Sequence, residues 1–403
     1  MKETHIILRV TGAGSRGREW RGPGTLATTS LERPADMSVE IDSLDSSDLH
    51  RVARNRDVVC VAPSMPMTLI APIPERSRSA APGAGPAATA VDWGVHAVGA
   101  DTSPFTGDGI VVAVLDTGVD QAHPAFAGVA LQRRNFTNDP EDEDVHGHGT
   151  HCAGTIFGRD VEGTRIGVAR GVKKALIGKV LGANGGGSDQ IVSAIQWAVS
   201  EGAHVISMSL GMDFPGFQKR LVEQFGFPPE LATSRALEGY RMNVQLFEAL
   251  ARTVRSMAGF GKSTVIVAAA GNESRTDENP DFKIAVSPPA VSDGVISVAA
   301  LGQGAAGFLI APFSNTGAMV AGPGVEIRSA SRGGGLTAMS GTSMATPHVA
   351  GVAALWAQKL KGMGPLNPGL LSTRVVGSGV TAGLAPGFDP ADIGSGMVTA
   401  PQN

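Results

Sequence analysis

The sequence is poor in cysteine and in charge. Two cysteines, Cys60 and Cys152, in 403 residues cannot build a disulfide scaffold, so a thiol-tolerant compartment is expected. Charged residues make up 17% of the chain, below the usual quarter, which excludes an unfolded polyelectrolyte. The 33 basic and 37 acidic residues leave a net charge of −4, so neither nucleic acid nor an anionic membrane is an expected partner. No apolar run approaches the roughly 18 residues of a membrane span. Ile6-Ile7-Leu8 is too short for the core of a signal peptide. Together these absences lead to the expectation of a cytoplasmic protein, with secretion open if the chain is a truncated form. What the chain has in excess is glycine: 54 in 403 residues, about twice average usage. The glycines show no G-X-Y period, so collagen is excluded and many tight turns and close backbone approaches are expected.

Three regions separate. Residues 1–70 read as a small α+β unit, with strands at His5–Val10, Met37–Ile41 and Val58–Val61 and a helix at Ser46–Asn55 capped by Ser46 or Ser47. Residues 12–35, rich in glycine, arginine and proline, show no helical pattern. Residues 71–91 are Pro/Ala/Gly-rich and read as a solvated linker. Residues 92–403 alternate short β-branched runs with helical patterns. The runs, at Ile110–Leu115, Ala203–Ser209, Thr264–Ala269 and Gly294–Ala299, read as buried parallel strands. The helical patterns lie at Asp189–Glu201 and Ser343–Lys361. Such alternation predicts an α/β layered domain, whose ligands sit beyond the carboxyl ends of the strands.

Four stretches carry chemistry. Asp116 closes the run Ile110–Leu115, where a carboxylate is well placed for function, although an Asp opening a turn is also common. Asp144-Val145-His146-Gly147-His148-Gly149-Thr150-His151 packs three histidines into six residues. One reading is a metal site in a zinc hydrolase using His146, His148 and His151. The other takes one histidine as a general base at a helix start. Gly341-Thr342-Ser343-Met344-Ala345-Thr346-Pro347-His348 opens an alanine-rich helix, where free N–H groups and the dipole favour developing negative charge beside Ser343. Pro347 is tolerable there because first-turn N–H groups lack intrahelical partners. With Ala345 in place of the last glycine, it is not the G-x-S-x-G elbow of an α/β-hydrolase. Finally, Ala268-Ala269-Ala270-Gly271-Asn272-Glu273 follows a strand and supplies an amide donor at its end.

In chain order these stretches offer an acid, a histidine, an amide and a serine. Together they resemble the subtilisin-like serine proteases, the subtilases, over residues 92–403. The resemblance rests on Val114–Asp120, His148–Thr155, Ser207–Gly211, Ala269–Glu273 and Gly341–Gly351. It implies a three-layer α/β sandwich with a central parallel sheet, acting as a serine endopeptidase. It implies Asp116, His148 and Ser343 as the triad and Asn272 as an oxyanion donor. His151 and His348 are then structural, and the zinc reading becomes remote. The peptide substrate would bind as an extended strand between Gly185-Gly186-Gly187 and Ser209-Leu210-Gly211. Leu210 with Ala269-Ala270-Gly271 would wall a pocket, for the residue before the cut, that is open to apolar side chains, while Glu273 at its mouth would instead favour a basic one, and the two alternatives stay open. No cofactor is required for this chemistry.

Several features depart from the family pattern. Residues 212–242 look inserted beside the substrate wall and hold Phe214, Phe217, Phe225, Phe227 and Tyr240 in a chain with 5% aromatics. Two expectations compete for them: a specificity or partner element, or a surface embellishment packed on itself. After His123-Pro124, Ala125 stands where many relatives carry a calcium-binding acid, so structural calcium is left open. The acidic run Asp139–Asp144 reads as a solvated loop. Cys152 reads as a small buried side chain beside the triad. Residues 1–70 resemble a subtilase propeptide that plugs the cleft as an intramolecular inhibitor. Met65–Ile70 would then lie in the active site, with self-cleavage near residues 69–92. Dedicated processing of one partner protein is the alternative to general proteolysis.

Overall fold

The computed structural model describes residues 2–11, 36–73 and 90–403. The expectations for residues 12–35 and for most of the linker fall outside the described residues. Strands β1 (Glu3–Thr11), β2 (Asp36–Leu44) and β3 (Val58–Pro63) form an antiparallel sheet in the order β2-β1-β3, with helix α1 (Ser46–Ala53) between β2 and β3 in the chain. Alternation along β1 sorts its side chains. Ile6 and Leu8 join the large buried cluster with Met37 and Ala62, while Ile7 packs with Leu44 and with Val52 of α1. Asp45 caps α1, not Ser46 or Ser47. Its carboxylate accepts from Ser47 N at 2.9 Å and Asp48 N at 3.0 Å, and a charged acceptor also gains from the helix dipole. A fourth strand, β4 (Pro66–Leu69), runs on away from this sheet.

The layered unit includes, in chain order, β5 (Val111–Asp116), β6 (Ala130–Asn135), α2 (His148–Phe157), β7 (Lys174–Lys179), β8 (Gly186–Gly187) and α3 (Ser188–Ser200). There follow β9 (Val205–Met208), β10 (Leu210–Met212), α4 (Phe214–Glu223) and α5 (Pro229–Ser256). The unit ends on β11 (Val265–Ala269), β12 (Val295–Gly304), β13 (Gly307–Ile310), β14 (Val320–Pro323) and α6 (Thr342–Lys361) before shorter C-terminal elements. The central sheet runs β13-β12-β11-β9-β5-β7-β6, with β14 also pairing β12. Every pair in it is parallel except β12 with β13.

Helices cover both faces of this sheet, which is why its strands are nearly continuous apolar runs. On β5, Val112 and Val114 pack into a cluster with Cys152 and Ile156 of α2 and Ala345 and Val349 of α6. Ala113 and Leu115 point the other way, into a cluster with Ile191 and Ile195 of α3 and Leu246 and Leu250 of α5. Each large aliphatic side chain buried this way contributes roughly 1.5–3 kcal/mol. β7 is a strand that the sequence does not announce, because lysines at both ends disguise a four-residue apolar run.

Residues 212–242 form α4 and the first half of α5, and α5 then continues to Ser256 without a break. Phe214 of α4 meets Tyr240 of α5 edge-on, with ring centroids 5.7 Å apart. The hairpin therefore packs partly on itself. Just beyond this segment, Asn243 Nδ2 on α5 donates to Pro63 O at 2.8 Å, and Gln196 Nε2 on α3 donates to Met37 O at 2.8 Å, so both helices touch the small N-terminal sheet. Among the described residues no helix is long and apolar enough to cross a membrane.

Candidate active site

Two helix starts and three strand ends converge at the carboxyl edge of the central sheet. Asp116 is the last residue of β5 and His148 the first of α2. Both are buried, and His148 Nδ1 lies 2.8 Å from Asp116 Oδ1. The approach is close because Gly149 has no side chain. A Cβ there would stand 2.2 Å from Gly118 O and 3.2 Å from Asp116 Cβ. Burial pulls the His148 pKa down, but the Asp116 carboxylate outweighs it, and the imidazole is raised well above 6.5.

Asp144 locks this pair, although it reads as part of a solvated loop. It is 1% exposed. Its oxygens accept from Thr117 Oγ1 at 2.8 Å, Gly147 N at 2.8 Å, and the N and Oγ1 of Thr150 at 2.8 and 2.6 Å. The end of β5 is thereby tied to the start of α2. Burial raises the Asp144 pKa, but hydrogen bonds, chiefly from Thr150 and Gly147, outweigh it and the net shift is downward. The available signal is position: an Asp four residues before His148.

The rest of the acidic run is also organised. Lys179, 2% exposed at the end of β7, donates through Nζ to Glu141 O at 3.0 Å and Glu143 O at 3.1 Å, and pairs with Asp139 Oδ2 at 3.1 Å. The cation that this loop holds is an ammonium of the same chain. Lys179→Met strands two carbonyls and a carboxylate, and costs about 3 kcal/mol, as for other broken buried pairs. Urea unfolding of the variant checks this, and an unchanged midpoint contradicts it.

At the second helix start, Gly341 is the cap and Ser343 the second residue of α6. Pro347 lies beyond the first turn, so its missing N–H leaves Ser343 O without its helical partner. Two side chains fill the gap. Ser209 Oγ donates to Ser343 O at 3.1 Å and Cys152 Sγ donates to it at 3.4 Å. Cys152 is buried, and burial raises its pKa, which keeps it a neutral thiol. Asn272 follows β11. Its Oδ1 accepts from Thr342 N at 2.9 Å and Thr342 Oγ1 at 2.8 Å, which turns Nδ2 outward, 3.0 Å from Ala71 O.

The cleft is filled by the chain itself. β4 pairs antiparallel with β8 (Gly186↔Met67, Gly187↔Pro66) and with β10 (Leu210↔Leu69, Gly211↔Thr68). Gly185 is pressed against this strand, since a Cβ there would come within 2.9 Å of Met67 O. Ser343 Oγ donates to Ile70 O at 2.9 Å. The side chain of Ile70 lies over Gly211, where Ser287, a residue not expected from the sequence, also approaches. Ala269, Ala270 and Gly271 stand behind, with Gly271 N donating to Thr342 Oγ1 at 3.2 Å. Glu273 is exposed next to Gly271, and its Oε2 accepts from Asn315 Nδ2 at 2.6 Å.

The zinc reading fails on geometry. His146 is exposed, His148 Nδ1 is held by Asp116, and His151 Nε2 is 3.0 Å from Ile327 O. Among the described residues, the grouping with ligand atoms close enough for a metal is Asp116, His148 and Cys152, not the three histidines. His151 and His348 are wholly buried packing residues. Burial holds them at about 3 and about 4, with the neighbouring His148 adding to the shift at His151. Unfolded, both take a proton near pH 6.5; folded, neither does until pH 4 or below. Each then removes about 1.4 kcal/mol of stability per pH unit as pH falls below 6.5. His148, shifted upward, adds nothing to that slope, because below 6.5 it is charged in both states. The urea midpoint is therefore expected to fall from pH 6.5 to 4.5, and a His348→Gln variant to show a shallower slope. An equal slope in both proteins would contradict this.

A family model described as Subtilase family matches residues 107–375. An intracellular serine protease of Paenibacillus polymyxa is 35% identical over 257 residues, covering 62% of this chain and 67% of its own. The subtilisin-like serine protease Pen ch 13 of Penicillium rubens is 32% identical over 330 residues, 77% of this chain and 67% of its own. M-protease of Shouchella clausii is 34% identical over 278 residues, 68% and 61% of the two chains.

Proposed function

The chain belongs to the subtilase family and is a serine endopeptidase, and from that premise we propose that Ser343 is its nucleophile, His148 its general base and Asp116 the carboxylate that orients the base. The observation that carries this assignment is the Ser343 hydroxyl on the carbonyl of Ile70, in a strand paired on both edges. Ser343 Oγ attacks a peptide carbonyl carbon while His148 Nε2 takes its proton. As the oxyanion forms, Ser343 N–H donates to it and Asn272 Nδ2, which rests 3.0 Å away on the next carbonyl, that of Ala71, turns to it. The C–N bond breaks, the leaving amine takes the proton from His148, and water then releases the acyl group by the same route. Asp116 holds the imidazole tautomer and stabilises the imidazolium. Subtilases use no cofactor in this chemistry, and no structural calcium is proposed for the loop that Lys179 already occupies.

Residues 1–70 are proposed as an intramolecular inhibitor, 71–91 as the connection and 92–403 as the catalytic unit. The first bond cut is Ile70–Ala71. Ser343 lies on the Ile70 carbonyl, and the next bond, Ala71–Pro72, is an imide. Gly185–Gly187 and Ser209–Gly211 then serve external substrates as edges for backbone pairing. A cytoplasmic site of action is the proposal that best suits two free cysteines. A fluorophosphonate tests the nucleophile. It is expected to add once, on Ser343, and to stop proteolysis; labelling elsewhere, with Ser343 unmodified and activity lost, would refute the assignment.

A further inference from the structure

The bound strand does not end where β8 and β10 end. Asp213 N donates to Pro66 O at 3.1 Å, Ser188 N donates to Met65 O at 2.9 Å, and Met65 N donates to Ser188 Oγ at 3.0 Å. Ser64 Oγ donates to Asp189, and Asn243 Nδ2 donates to Pro63 O at 2.8 Å. The cleft thus grips seven residues, 64–70, and α5 holds Pro63, the last residue of β3, beside them. Their side chains sort by depth: Met65 and Met67 are 1% and 0% exposed, while Thr68 between Met67 and the cut faces solvent.

Met65, sixth residue before the proposed cut, has a seat made by an absence. Gly239 lies mid-way along the 28-residue helix α5, where glycine costs about 1 kcal/mol relative to alanine. A Cβ there would stand 2.6 Å from Met65 Sδ and 3.4 Å from Met65 Cε. Asn243, one turn further on the same helix face, is wholly buried, and its Nδ2 also reaches Gly239 O at 3.0 Å.

We infer that α5, through Gly239 and Asn243, gives this protease a specificity subsite for a long, unbranched apolar side chain at the sixth residue before the cut. The inference rests on the proposed cleavage at this site. It names the substrate class: extended segments with buried-type residues at the sixth, fourth and first positions before the bond, matching Met65, Met67 and Ile70. An enzyme reading so long a stretch cuts few sequences, which favours processing over general digestion.

The test uses the full chain after it has cut itself, with internally quenched peptides. The long peptide copies residues 63–73, a second carries Met65→Asp, and a short one begins at Met67. Wild-type enzyme is expected to cleave the long peptide with a kcat/KM about tenfold or more above both others. In Gly239→Leu the long-to-short ratio is expected to fall to near one. Equal rates on all three peptides with wild-type enzyme overturn the subsite, and need no variant that folds. A Gly239→Leu enzyme that keeps the wild-type ratio also overturns it, leaving Met65 as a contact of the N-terminal unit alone. Cleavage of none of the peptides by wild-type enzyme overturns the proteolytic reading of the site, and the subsite with it.

Discussion

Ser343→Ala is expected to abolish proteolysis and to leave the chain in one piece. Removing the nucleophile of such a triad costs roughly 10⁶ in turnover, since the remaining groups then act on nothing but water. Intact mass is the sharper readout. Wild-type protein is expected to yield one fragment ending at Ile70 and one beginning at Ala71; the variant is expected to show only the full mass. Equal fragmentation in both proteins would remove Ser343 from the mechanism, whatever its place at the start of α6. The variant also suits the urea measurements, because it cannot digest its own unfolded fraction.

Asp116→Asn is expected to cost about 10⁴ in turnover with the fold intact. The amide is isosteric, and its oxygen still accepts from Thr117 N, as Asp116 Oδ1 does at 2.8 Å. That same Oδ1 lies 2.8 Å from His148 Nδ1, so the variant offers the ring a neutral amide oxygen, which cannot stabilise the imidazolium as the carboxylate does. A second signature separates this from simple misfolding. Burial lowers the His148 pKa and the Asp116 carboxylate is the largest influence raising it; without that carboxylate the pKa falls. The acid limb of the residual activity is therefore expected to move to lower pH while the plateau drops. A lower plateau with an unmoved acid limb would show that Asp116 does not face the base.

Asp116, His148, Asn272 and Ser343 are legible as candidates in the sequence because each lies at or just beyond the end of an element in an unusual local motif. The apolar runs that become β5, β9, β11 and β12 are legible because helices on both faces leave no polar side to confuse the pattern. What escapes sequence reading is pairing at a distance. Asp144 sits among acids, yet its partner Thr117 is 27 residues back. Lys179 closes a strand disguised by its own charge and is satisfied by Glu141 O, 38 residues away. Pro347 reads as a first-turn proline, and only three dimensions reveal Ser209 and Cys152 on the carbonyl it frees. Gly239 carries no signal in the sequence, and its use shows only when Met65 is laid against it.

The N-terminal unit is attached twice: its sheet rests on α3 and α5, and its tail is paired on both edges of the cleft. On the proposed cut, neither attachment is touched. The fragment becomes a bivalent ligand, and each foothold holds the other at high local concentration, so partial detachment is quickly reversed. Bond cleavage and the appearance of activity are then separate clocks. The first is set by chemistry at Ser343. The second is set by a dissociation that must lose both footholds at once, or by the first free enzyme to digest the fragment while it is off, so that activation in a population spreads from a few early molecules.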